Sequence, residues 1–210
     1  TIIQSKYYKV GDLYVVNGEP LGLVYEISDG GAHGKVVALK AHRDLNLWYR
    51  TGLPYDEIHP EDPNNVGVIA RSETDGQENM KAYKQIPDWK THYPVAAYVS
   101  DLNDENGNPG WYLPAIKEVQ AMVGWIDGEV LSPDGEAGQE PSEAMKEKRK
   151  AINQLIVDNG GNEFYFYGYD VSFIIDQTNA WEADYFNRIY TSTETDYQVH
   201  PMVFKFYLRN

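Results

Sequence analysis

The chain has 210 residues, enough for one large domain or two small ones, with an ordinary balance of 42% hydrophobic and 24% charged residues. Its net charge of −14, with no dense Lys/Arg cluster, argues against nucleic acid, sulfated polysaccharide or an anionic membrane surface as partner. It has no cysteine, which excludes thiol catalysis, iron–sulfur clusters and Cys-ligated zinc, but not export.

No stretch approaches the roughly 20 apolar residues of a membrane helix, so membrane insertion is not expected. Thr1-Ile2-Ile3-Gln4-Ser5 has neither the basic start nor the apolar core of a signal peptide. Any export signal or lipid-anchor cysteine is therefore expected upstream of Thr1. The 17 tyrosines make up most of the 13% aromatic content. Tyrosine serves recognition surfaces and sheet edges alike.

Residues 7–40 read as a β-meander. Tyr14-Val15-Val16 runs into Asn17-Gly18, a hairpin signal. The apolar run Leu21–Ile27 follows, then a turn at Ser28-Asp29-Gly30-Gly31, then Lys35–Leu39. The continuous apolar runs predict a buried sheet.

From Pro54 to Gly76 the chain is rich in Pro, Asp, Asn and Gly and reads as loop. Gln77–Gln85 suggests a short helix. Thr91–Val99 fits a strand or a helix equally well. Asp101–Gly110 reads as a polar loop. Pro114 suits the first turn of a helix over 114–123, with Ile116, Val119 and Val123 on one face. After an exposed loop at 132–141, Ser142 caps a second helix with Ala144, Ile152, Leu155 and Ile156 as its apolar residues. Gly160-Gly161 ends it. Strands are expected at Phe164–Tyr167, Val171–Ile175, Ile189–Ser192 and Val203–Tyr207. The order strands, two helices, strands predicts a segregated α+β fold in one domain spanning 1–210.

The catalytic signals are weak. Asp101-Leu102-Asn103-Asp104-Glu105-Asn106-Gly107 starts like a calcium loop, but its sixth position is Asn106 and its twelfth is Tyr112, not the Gly and Glu an EF-hand needs. His42-Arg43-Asp44-Leu45 imitates a kinase loop, yet Tyr49 stands where the metal-binding Asn belongs. His33, His42, His59, His92 and His200 are scattered without metal spacing. Among 32 acids a pair such as Glu57 and Glu61 arises by chance, so it is a thin basis for a glycan hydrolase. No cofactor is implied.

Two runs carry a resemblance. Trp111-Tyr112-Leu113-Pro114 opens a helix that holds Glu118. Tyr190-Thr191-Ser192-Thr193-Glu194 follows a helix closed by Gly160-Gly161. With the lead-in Asn17–Ile27 and His33–Leu39, these resemble the Lcl C-terminal-domain family, named after the Legionella collagen-like protein. The core of the resemblance spans 111–210. Tyr190 and Thr191 stand where the family has Trp-Ser, and Leu208-Arg209-Asn210 departs from its Val-Arg-containing last strand.

The resemblance implies a C-type-lectin-like fold, an extracellular or outer-surface location, and adhesion rather than catalysis. Residues 179–200 are also similar in composition to variable proteins diversified by retroelements. The expected function is non-enzymatic binding of a protein or glycan on a host or neighbouring cell, through C-terminal aromatic and polar loops. The contact candidates are Trp181, Asp184, Tyr185, Asn187 and Tyr197. The alternatives are a glycan hydrolase using a carboxylate pair and a structural subunit of a pilus or surface layer.

Overall fold

A computed structural model describes residues 7–40, 72–92, 94–106, 110–127, 142–162, 169–174, 180–183, 189–192 and 203–207. The N-terminal meander consists of β1 (Leu13–Val16), β2 (Glu19–Ser28) and β3 (His33–Ala38). Asn17 and Gly18 both have positive φ, 52° and 87°, as a type I′ hairpin turn requires. The middle of β2, Gly22 to Tyr25, is buried at four successive positions, so both faces of that strand are covered. Between β2 and β3 lies a short 3₁₀ turn, Asp29–Gly31. The Gly31 carbonyl accepts from the Tyr8 N–H at 3.1 Å. A Cβ on Gly31 would lie 2.1 Å from the Tyr8 carbonyl oxygen, so glycine lets the N-terminal segment dock there.

Among the described residues five helices follow: α1 (Gly76–Tyr83), α2 (Trp89–His92), α3 (Pro94–Asn106), α4 (Ile116–Asp127) and α5 (Glu143–Asp158). The open choice at Thr91–Val99 is resolved as helix. The polar stretch expected to be a loop from Asp101 forms the last turns of α3 as far as Asn106. Asp101 to Asn103 are half-buried there, and Asp101 is paired with Lys90. Helix α4 begins two residues after Pro114 and runs four residues beyond the expected end. Ile116, Val119 and Met122 are buried on its inner face.

Helix α5 follows its sequence signals. The Ser142 hydroxyl accepts from the Met145 N–H at 3.3 Å. At the other end Gly160 has φ 78° and donates to the Val157 carbonyl at 3.0 Å. Gly161 donates to the Ile156 carbonyl at 2.9 Å, completing a Schellman motif. Ile152 and Ile156 are buried, whereas Ala144 faces solvent.

The remaining strands among the described residues are β4 (Tyr169–Ile174), β5 (Ala180–Ala183), β6 (Ile189–Ser192) and β7 (Val203–Tyr207). The expected strand at Phe164–Tyr167 lies outside the described residues. Among the described residues these strands form two antiparallel sheets, in orders β1-β2-β3-β7 and β4-β5-β6. Thus β7 pairs with β3, His33 opposite Tyr207 through Val37 opposite Val203, and joins the C-terminal region to the meander. Helix α4 packs on both β2 and β4, and α1 packs on β4. The core gathers Leu23, Val24, Val36 and Val37 from the first sheet with Tyr83, Val95, Leu113 and Ile156. The architecture is mixed α and β, with several helices beside antiparallel sheets.

Candidate functional site

The densest arrangement of titratable side chains among the described residues lies under the Trp111–Pro114 run. Its centre is Glu118, 1% exposed, in the first turn of α4. Its Oε2 accepts from the backbone N–H of Ala115 at 2.9 Å and of Gly76 at 3.0 Å. Its Oε1 accepts from the Tyr112 hydroxyl at 2.8 Å and lies 3.2 Å from Lys35 Nζ.

The contact with Ala115 is half of a capping box, in which the third helical residue reaches back to the N-cap N–H. The contact with Gly76 caps a second helix, α1. One carboxylate therefore sits at two helix N-termini, where both dipoles favour negative charge. A Cβ on Gly76 would lie 2.0 Å from the Leu113 carbonyl oxygen, so only glycine allows α1 this close to the Leu113-Pro114 segment.

Asp75 provides the second acid. It is the N-cap of α1, accepting from Gln77 N–H at 3.0 Å, while its other oxygen takes Lys205 Nζ at 2.8 Å. Burial works to raise the Asp75 carboxyl. The hydrogen bond and charge of Lys205, with the N–H groups of Gln77 and Glu78, outweigh it and hold the group below the usual aspartate range. Lys205 also lies 5.7 Å from the centre of the Tyr112 ring.

Lys35 spans the space between Glu118 and Glu26, 3.2 Å from each. Tyr25 sits where the β2–β3 register shifts between Val24 and Glu26, so it belongs to a bulge. Its side chain is 3% exposed, and its hydroxyl has no hydrogen-bond partner among the described residues. Burial first, then the charges of Glu118 and Glu26, push this phenol well above the ordinary tyrosine range. Tyr112, 2% exposed, is pushed up by burial and by Glu118, so both stay protonated.

Asparagine side chains fix the flanks. Asn103 on α3 accepts from Trp111 N–H at 2.7 Å and donates to Trp111 C=O at 2.8 Å, pairing with that residue as a strand would. Asn79 on α1 holds Ser72 in the same two-bond manner, each at 2.8 Å.

These contacts decide what the cluster can do. A carboxylate offers about four lone-pair sites. Two N–H groups, a hydroxyl and an ammonium surround those of Glu118, and solvent does not reach it. The cluster therefore has the build of a scaffold junction, and no substrate atom reaches Glu118 in this arrangement. No group of three or more His, Cys, Asp or Glu side chains is placed to hold a metal ion among the described residues. Within the stretch once read as the start of a calcium loop, Asp101 through Asn106 are helical.

Of the five expected contact residues, Trp181 lies on β5, the central strand of the second sheet, opposite Thr191 on β6. It was expected in a loop; the structure places it on a strand, because Ala180–Ala183 pairs on both sides. Asp184, Tyr185, Asn187 and Tyr197 lie outside the described residues, as do Thr193, Glu194, Glu57, Glu61, His42 and His59. Sequence reasoning had noted Glu118 only as a helix residue. It missed Lys35, Tyr25, Asp75 and Lys205, whose proximity arises from long-range packing.

No protein-family profile matches the chain, and no curated protein does. Among solved structures it is similar to a fimbrial protein from Bacteroides ovatus, with a TM-score of 0.52 and 14% identity. The likeness covers 94% of this chain and 48% of that protein, so the chain spans about half the length of its structural relative. At this identity the likeness concerns the fold. Among the described residues no helix is long and apolar enough to cross a membrane.

Proposed function

We propose that this chain is a surface-exposed, fimbria-associated binding module without catalytic activity, built on a C-type-lectin-like scaffold of the Lcl C-terminal-domain type. The fold likeness to a fimbrial protein over 94% of the chain is the observation that carries this reading. The closed state of the acid cluster agrees with it. Trp111, Tyr112 and Leu113 are buried, so the run that suggested the family serves the scaffold. Ligand contact then falls to the second sheet and its connections, with Trp181, Asp184, Tyr185, Asn187 and Tyr197 as contact residues for a protein or glycan. Alanine at Trp181 and at Tyr185 should abolish capture on a glycan array or on immobilised extracellular proteins, with melting temperature nearly unchanged. Unfolding of both variants would show that these side chains are core.

A second reading, a structural subunit of a pilus or surface layer, is favoured by the same fold likeness. Among the described residues strands β1 and β7 end the order of the first sheet, and edge strands are where a further chain can pair. Light scattering after size exclusion tests it, and a monomer at every concentration counts against it. Release of reducing sugar from polysaccharide by the purified protein would instead support the hydrolase alternative.

A further inference from the structure

We infer that Glu118 is a positioning residue for the second sheet: its charge pairing with Lys35 holds α1 and α4 at a fixed distance from the first sheet, and β4 is seated on those two helices. The chain of contacts is continuous. On one side are Lys35 and Lys205, on adjacent strands β3 and β7. In the middle are Glu118 and Asp75, which engage those lysines and cap the helix N-termini at Gly76, Gln77 and Ala115. On the other side β4 packs against α1 and α4, and β5, which carries Trp181, pairs with β4.

The junction is built to a close tolerance. Gly76 has no room for a Cβ against Leu113, and the Glu118 oxygens leave no acceptor capacity idle. Loss of the Lys35 charge leaves the Glu118 carboxylate buried without a counter-ion, and loss of the Glu118 charge leaves Lys35 with only the partly exposed Glu26. The rearrangement that relieves this must move α1 or α4, because Lys35 is fixed in a strand with neighbours on both sides. Among the described residues the strands of the second sheet have six, four and four residues, against ten in β2 of the first sheet, and elements with fewer packed contacts open first. The loss is therefore expected to concentrate there. The role deepens the proposed function, since it governs how Trp181 is presented, and rests on that reading only for its biological meaning.

Hydrogen–deuterium exchange of the intact chain tests it without any ligand, so its outcome is separate from that of the binding assays. In Glu118→Gln and Lys35→Met, amides of 169–174, 180–183 and 189–192 should exchange about tenfold or more faster, while those of β2 and β3 stay within roughly threefold of the parent. The double variant Lys35→Met/Glu118→Gln, in which neither charge is buried alone, should recover most of that protection. Lys35→Met keeps all three hydrogen bonds of the carboxylate and decides the matter if Glu118→Gln does not fold. An equal rise in both sheets, a rise confined to the helices, an unchanged second sheet, or a double variant no better than the worse single one would overturn the inference.

Discussion

Lys35 on β3 and Lys205 on β7 stand directly opposite each other in the antiparallel pair. Like charges in that position repel. Each is answered by its own acid: Lys35 by Glu118 and Glu26 at 3.2 Å, Lys205 by Asp75 at 2.8 Å. Both Glu118 and Asp75 cap helices from the middle of the chain. Closure of the first sheet by its C-terminal strand therefore depends on charges contributed by α1 and α4.

The buried pair should show strong coupling. Glu118→Gln removes the charge and still offers one oxygen to the two N–H groups; it should cost about 3 kcal/mol or more. Lys35→Met should cost a comparable amount, about 3 kcal/mol, because it leaves the buried Glu118 carboxylate without a counter-ion, while its tie to the partly exposed Glu26 adds little. Urea titration of the double variant should give a loss smaller than the sum by about 0.5–3 kcal/mol. Strict additivity would show that the two side chains do not sense each other.

Acid should weaken the Asp75–Lys205 tie. The folded carboxyl ionises below the ordinary aspartate value of 3.8. Its contribution is thus complete above the unfolded value and is lost as pH falls through the lowered folded one. Asp75→Asn keeps an N-cap acceptor and removes the charge. Its unfolding free energy should differ from the parent at pH 6 and converge with it towards pH 2. A difference that stays constant over that interval would assign the whole effect to capping.

Alkali should act through Tyr25 and Tyr112. Both phenols are raised in the folded state, so their contribution is complete below the unfolded value near 10 and declines as pH rises beyond it. Of the 17 tyrosines, at least these two should resist ionisation in an absorbance titration until the protein unfolds. The single variants Tyr25→Phe and Tyr112→Phe should each shift the alkaline unfolding midpoint upward. Tyr25→Phe should be the better tolerated at neutral pH, because it removes a buried hydroxyl with no described partner.

Two glycines separate steric from conformational need. At Gly18 a Cβ would meet open space, and only its φ of +87° opposes substitution, so Gly18→Ala should cost about 1–2 kcal/mol. At Gly76 a Cβ would meet the Leu113 carbonyl oxygen and the Ala115 nitrogen, at 2.0 and 3.0 Å, both backbone. Gly76→Ala should therefore cost about 3 kcal/mol or more, because backbone yields less readily than a side-chain tip. Thermal melts showing the reverse order would refute the close seating of α1.

Features written within a few residues were legible in the chain. Asn17-Gly18 made its hairpin, Ser142 its cap, and Gly160-Gly161 its helix end, because each depends on local φ or on a hydrogen bond across three to five residues. Asp101–Asn106 misled because its polarity was read as loop, whereas α3 extends through it. Strand β5 was missed because Ala180–Ala183 has only four residues and no alternation to detect. Trp181 thereby moved from an expected loop to a central strand.

The sequence by itself determined the meander, the start and end of α5 and the location of the Trp111–Pro114 run, since short-range geometry and periodicity suffice for them. Only the tertiary structure decided that β7 closes the first sheet, that Tyr25 sits at a bulge, and that Glu118 meets Gly76 and Lys35. The physical reason is distance along the chain. Glu118 and Gly76 are 42 residues apart, and Asp75 and Lys205 are 130 apart. Nothing local marks such partners; they are selected when a buried charge must find every donor it needs.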